Sequence, residues 1–107
     1  MKIKILLFDG IELLDFAGPL EVFGVANYLK KELGLLVSTI GLKDEITVSQ
    51  TGLKLIPNET INHGKIDLLI IPGGLGTRQI IKNDSELHQI DNLIKDANVV
   101  ASVCTGA

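Results

Sequence analysis

Ile66-Asp67-Leu68-Leu69-Ile70-Ile71-Pro72-Gly73-Gly74 is an apolar run interrupted by one acid and shut off by a proline and two glycines. A short run of that kind, with no polar alternation, is expected of a strand buried on both faces. Such strands belong to parallel sheets covered by helices on each side. Ile3 to Phe8 reads the same way and is ended by Asp9-Gly10; Leu35 to Ile40 follows suit and is closed by Gly41. Val99-Val100-Ala101-Ser102-Val103 is expected to be a last buried strand.

Helical patterns lie between these runs. Gly18-Pro19-Leu20-Glu21 reads as a helix start, because proline suits the first helical position and a carboxylate favours the positive end of the helix dipole. Val22, Phe23, Ala26, Leu29 and Leu33 then fall at helical spacing up to Gly34. Thr77 opens a short helix through Ile81. Asn83-Asp84-Ser85-Glu86 offers caps for a second, carrying Leu87, Ile90, Ile94 and Ala97, with Asp91 and Lys95 paired on its wet side. Ile46–Ser49 and Leu53–Ile56 alternate across Gln50-Thr51-Gly52 as a small antiparallel excursion, and Pro57–Gly64 reads as polar loop. Strands alternating with helices predict one α/β domain, a doubly wound parallel sheet sandwich.

Composition narrows the function. Ten basic against 13 acidic residues give a net charge of −3, with no run of lysine or arginine to track a phosphate backbone, so nucleic-acid contact by this segment is disfavoured. The single cysteine, Cys104, excludes an internal disulfide framework, and with only His63 and His88 beside it there is no thiolate zinc set. No stretch has the length of a membrane helix, and the apolar run at the amino terminus breaks at Asp9, too early for a signal-peptide core. The expectation is a cytosolic protein in a reducing compartment.

In an open parallel sheet, ligands bind beyond the carboxyl ends of the strands. Three such ends carry unusual residues: Asp9-Gly10 and then Asp15, Gly73-Gly74, and Cys104. Ser102-Val103-Cys104-Thr105-Gly106 is small-x-nucleophile-x-small directly after a strand, the pattern a tight strand-to-helix turn needs because its backbone leaves no room for larger neighbours. The bland alternative is an inert buried cysteine. Gly73 and Gly74 let backbone amides approach an oxyanion, with the Thr105 amide as a further donor, although Pro-Gly-Gly is commonly just a strand terminator. Asp15 is placed to exchange a proton with thiol or substrate, or simply to cap a helix. Glu21 faces a similar choice, and both histidines read as surface residues.

Leu6-Leu7-Phe8-Asp9-Gly10 running on to Asp15-Phe16-Ala17-Gly18-Pro19-Leu20-Glu21, then Asp67 to Gly74, then Ser102-Val103-Cys104-Thr105-Gly106-Ala107, resemble the ThiJ/PfpI superfamily with its class I glutamine-amidotransferase-like, flavodoxin-like fold. The Leu-Asp-x-x-Gly-Pro segment together with Cys-Thr-Gly-Ala is similar to the isonitrile hydratase branch and to sensor domains of certain AraC-type regulators. The resemblance implies Cys104 as nucleophile at the elbow, Asp15 as its acidic partner, Thr105 as support, and Gly73 and Gly74 lining the site. A hydratase of this kind attacks an isonitrile carbon with its thiolate, relays a proton through Asp15 and releases an N-substituted formamide, and the resemblance implies that it needs neither metal nor organic cofactor. A non-catalytic sensor domain, a protease- or amidase-like hydrolase and a redox-stress protein share the same elbow. A small-molecule substrate and a homodimer are further implications.

Family members run to roughly twice this length as single domains. Residues 1–107 are therefore expected to be the amino-terminal part of one ThiJ/PfpI-type domain, truncated after the nucleophile elbow. A chain that ended at Ala107 is expected to be inactive unless paired with another, because the helix that would activate the thiol follows the elbow.

Overall fold

A computed structural model describes residues 1–62 and 64–107; the loop assignment of His63 lies outside the described residues. The strands are β1 (Lys2–Leu7), β2 (Leu36–Gly41), β3 (Thr47–Val48), β4 (Lys54–Leu55), β5 (Glu59–Thr60), β6 (Ile66–Ile71) and β7 (Ala97–Ser102). The helices are α1 (Leu13–Leu29), α2 (Thr77–Ile80) and α3 (Asp84–Asp96), with single 3₁₀ turns at Lys31–Leu33 and Cys104–Gly106. Five strands form one sheet in the order β5-β2-β1-β6-β7, every pairing parallel. β3 and β4 make the separate antiparallel ribbon.

The chain leaves the centre of the sheet in opposite directions, from β1 through α1 to β2 and from β6 through α3 to β7. Right-handed crossovers then set the two helices on opposite faces. This explains why both sides of β1 are sealed: Ile3, Ile5, Leu6 and Phe8 are buried, as are Leu69 and Ile70 of β6. Each such side chain contributes roughly 1.5–3 kcal/mol through removal from water.

Four expectations need correction. First, α1 starts at Leu13 and carries Pro19 inside it. An internal proline has no N–H to offer the carbonyl one turn back, so the helix runs without a bond to the Asp15 carbonyl. The earlier start moves Glu21 to mid-helix, away from the dipole end, and puts Asp15 in the first turn instead. The buried face is set by Phe16, with Leu13, Ala17, Leu20 and Phe23 packed partly against the core. Val22 and Leu29 face outward, 65% and 77% exposed. α1 also stops before Lys31, and Gly34, at φ 62°, closes the 3₁₀ turn that follows.

Second, β7 is an edge strand, not a buried one, with Val99 58% and Val100 41% exposed. Third, Glu59–Thr60 of the presumed loop pairs with Ile40–Gly41 as the opposite edge. Fourth, α3 inserts Leu93 most deeply while Leu87 and Ile94 stay over a third exposed, and Ala97 opens β7. The Asn83 cap, whose side chain accepts from the Glu86 amide, and the Asp91–Lys95 pair form as expected.

Asp9 clamps the β3-β4 ribbon to the end of β1. Its carboxylate accepts from the Val48 amide at 2.9 Å and from Lys43 Nζ at 2.6 Å, while the Gly10 amide donates to the Val48 carbonyl at 2.8 Å. Partial burial pushes the Asp9 carboxyl up, but the Lys43 ammonium and the Val48 amide outweigh it and hold it below its ordinary value. Stability from a lowered carboxyl is complete above the unfolded pKa and is lost as pH falls through the folded value. Asp9→Asn should therefore destabilise the chain by about 0.5–1 kcal/mol at pH 7, a figure held down by solvent screening of a half-exposed pair. In urea denaturation the gap should close below pH ~4. Coincident curves at pH 7 would refute the clamp.

Candidate functional site

Beyond the carboxyl ends of β1, β6 and β7, three connections converge. β7 runs into Val103 and then Cys104, which adopts φ 55° and is the only non-glycine residue with positive φ among the described residues. A side chain in that conformation is strained and persists only where its surroundings over-determine it. Here the following turn is pinned from below. The Val103 amide donates to the Ile71 carbonyl at 3.0 Å, and Gly106 lies so close to the Ile71 and Pro72 carbonyls that no Cβ would fit. The sharp turn lifts the Cys104 thiol out of the sheet, and it is exposed.

Asp15, in the first turn of α1, reaches the same place from the other side. Its Oδ2 accepts from the Gly73 amide at 3.2 Å. A Cβ on Gly73 would come within 2.6 Å of Thr105 Oγ1, 2.7 Å of the Thr105 nitrogen and 3.0 Å of Asp15 Oδ2. Gly73 is thus the gap through which the aspartate and the elbow approach each other. Thr105 Oγ1 accepts from the Gly74 amide at 3.0 Å.

The glycine amides therefore differ from their expected use. Both are engaged internally, Gly73 with Asp15 and Gly74 with Thr105, so neither is a free oxyanion donor; the Thr105 amide makes no hydrogen bond among the described residues. Asp15, Gly74, Cys104 and Thr105 line one pocket of about 300 Å³. His88 is exposed on α3. Among the described residues no cluster of three histidine, cysteine or acidic side chains is placed to hold a metal ion.

The pocket has further walls that sequence reasoning missed: Glu12, Gln50, Leu75, Thr77 and Arg78. Gln50, read only as a hairpin turn residue, is the rim's fastener. Its Nε2 donates to the Glu12 carboxylate, its Oε1 accepts from the Leu75 amide at 3.0 Å, and its own amide donates to the Ile11 carbonyl at 3.0 Å. No local pattern marks such a residue, because its partners lie 38 and 25 positions away. Arg78 had a weak signal in its place one turn past Gly73-Gly74.

A strained, exposed cysteine on a strand-to-turn junction, lining one pocket with a carboxylate from the first βα connection, sits at the carboxyl edge of an α/β sandwich. The chain belongs to the DJ-1/PfpI family, whose model matches residues 1–107. It is 32% identical over 109 residues to isonitrile hydratase of Pseudomonas putida, covering 100% of this chain and 45% of that protein. It is 32% identical over 108 residues to an uncharacterized protein in the cpoL 5′ region of Streptomyces lividans, covering 99% of this chain and 74% of the other. A ThiJ/PfpI family protein from Pseudomonas syringae superposes with a TM-score of 0.82 at 24% identity, over 98% of this chain and 42% of that one. The chain thus spans under half the length of the hydratase. No helix among the described residues is long and apolar enough to cross a membrane.

Two glycines give opposite expectations. Gly106→Ala forces a methyl into the Ile71 and Pro72 carbonyls and should cost about 1–3 kcal/mol. Gly24→Ala, in the open on α1, should instead gain roughly 0.5–1 kcal/mol from its helix preference. Thermal unfolding of both variants checks the pair, and shifts of the same sign would contradict this description of the elbow.

Proposed function

We propose that Cys104 is the nucleophile of an isonitrile hydratase-like reaction, with Asp15 as proton relay and Thr105 supporting the turn. The observation that carries the reading is the positive φ of an exposed cysteine sharing one pocket with Asp15. Such strain is characteristic of a nucleophile held on a tight elbow. The 32% identity to the Pseudomonas putida hydratase supplies the substrate class. The Asp15 carboxylate takes the thiol proton and delivers it to the terminal isonitrile carbon as sulfur attacks that carbon, giving a thioformimidate and restoring the carboxylate. Water then adds to this carbon, its proton passing by way of Asp15 to nitrogen. The tetrahedral adduct breaks its carbon–sulfur bond, returns the hydroxyl proton to sulfur and releases the N-substituted formamide. The elements of one water are added and no electrons change hands.

The Cys104 site is proposed to work within a whole domain of which residues 1–107 are the amino-terminal part, in the cytosol, where a lone exposed thiol stays reduced. Formamide release from a small alkyl isonitrile should be lost in Cys104→Ala and fall at least about a hundredfold in Asp15→Asn, the usual worth of a positioned acid–base group. Unchanged turnover in either variant would end the assignment. Ligand binding without turnover in the native protein would favour the sensor reading.

The homodimer implied by the family is proposed to form through the outer face of α1. Leu14, Val22, Val25 and Leu29 lie exposed along it, and Glu21 is the only charged residue between Asp15 and Lys30. A helix apolar all round belongs in an interior, and one apolar stripe meets its own copy about a two-fold axis. Sedimentation should give a dimer for the native chain and a monomer of undiminished thermal stability for Val25→Glu/Leu29→Glu. A native monomer at tens of micromolar would overturn this.

A further inference from the structure

Among the described residues Arg78 is the only cation that lines the Cys104 pocket. Among the described residues no carboxylate lies within ion-pair distance of it, and its side chain makes no hydrogen bond. The pocket's two acids are both occupied, Glu12 by the Gln50 amide and Asp15 by the Gly73 amide. The base of Arg78 is fixed. The Gly76 amide donates to the Gly10 carbonyl at 2.9 Å, and Thr77 Oγ1 donates to the Gly74 carbonyl at 2.9 Å, so α2 is anchored to the connections that carry the rest of the site.

The charges are also segregated by element. Glu12 and Asp15 come from the start of α1, whereas Arg78 comes from α2, with exposed Leu75 beside it. A negatively charged substrate whose reactive carbon sits at Cys104 would be repelled from the α1 side and drawn to the α2 side. A guanidinium presents two parallel N–H groups that match a carboxylate, and in a partly enclosed pocket such a pair is stronger than on an open surface.

We infer that Arg78 is the specificity-determining residue of this pocket, and that the site takes a small aliphatic carbon–nitrogen substrate carrying a carboxylate. The substrate part of the inference rests on the reading of Cys104 as nucleophile; the anion-recognising part does not. A pair of alkylating probes separates the two, since Cys104 is the only cysteine in the chain. Iodoacetate and iodoacetamide both form a carbon–sulfur bond with expulsion of iodide, and differ in that one is an anion. The ratio of their second-order rate constants, iodoacetate over iodoacetamide, should be at least about tenfold higher in the native chain than in Arg78→Met. Arg78→Lys should fall between, and added salt should lower the native ratio. Equal ratios in the native chain and Arg78→Met overturn the inference; an iodoacetamide rate unchanged between the two, with matching thermal unfolding, shows that the surroundings of Cys104 are intact in the variant.

Hydration of isocyanoacetate and of its methyl ester completes the test. A native preference for the acid that collapses in Arg78→Met, mainly through KM, supports the substrate class; indifference to the carboxylate overturns it even where both are hydrated. A shifted alkylation ratio with neither compound hydrated upholds Arg78 as the anion-recognising group and defeats the hydratase reading alone.

Discussion

Asp15 and Cys104 are 89 positions apart in sequence, and the hydrogen bond from the Gly73 amide to the Asp15 carboxylate is the constraint that brings their neighbourhoods together. It succeeds because Gly73 has no side chain: any Cβ there would strike Thr105 and the carboxylate at once. The Gly74 amide repeats the arrangement one residue on by donating to Thr105. Loops after β1, β6 and β7 are thus joined backbone to side chain, with the parallel sheet below setting their spacing. The Gly73 bond is the more sheltered of the two, and a hydrogen bond to a charged acceptor is the stronger kind.

Around this junction the structure divides rigid from replaceable parts. The core beneath is aliphatic and interchangeable in kind, since isoleucine and leucine fill it almost entirely. The rim is polar and particular. Gln50 holds Glu12 and Leu75 together from the β3-β4 ribbon, and Asp9 holds that ribbon to β1. A two-stranded ribbon of four paired residues would be marginal alone. Its placement comes from these side-chain contacts, which makes the ribbon a part of the pocket wall.

Much of the architecture was legible because burial on both faces leaves an unmistakable mark on Ile3–Phe8 and Ile66–Ile71, and the cap at Asn83 is a local signal. The elbow at Cys104 was legible for a similar reason, small residues being demanded by backbone crowding that the sequence records at Gly106. α1 was misplaced because Gly-Pro is a common way to begin a helix, and nothing local says that tertiary packing of Phe16 and Leu13 will carry the helix through Pro19. β7 was judged by composition, which tells what a strand suits and not which neighbours it has. Gln50 escaped altogether, because a residue whose role is to bridge distant loops has no periodicity, and Arg78 had only its place after Gly73-Gly74 to mark it.

The exposed margin at β7 has a consequence for how the chain behaves in company. Ala97-Asn98-Val99-Val100-Ala101-Ser102 contains neither proline nor a charged side chain, the two devices that ordinarily blunt a sheet border. A strand so built suits an interior place in a wider sheet, where a further neighbour would cover Val99 and Val100.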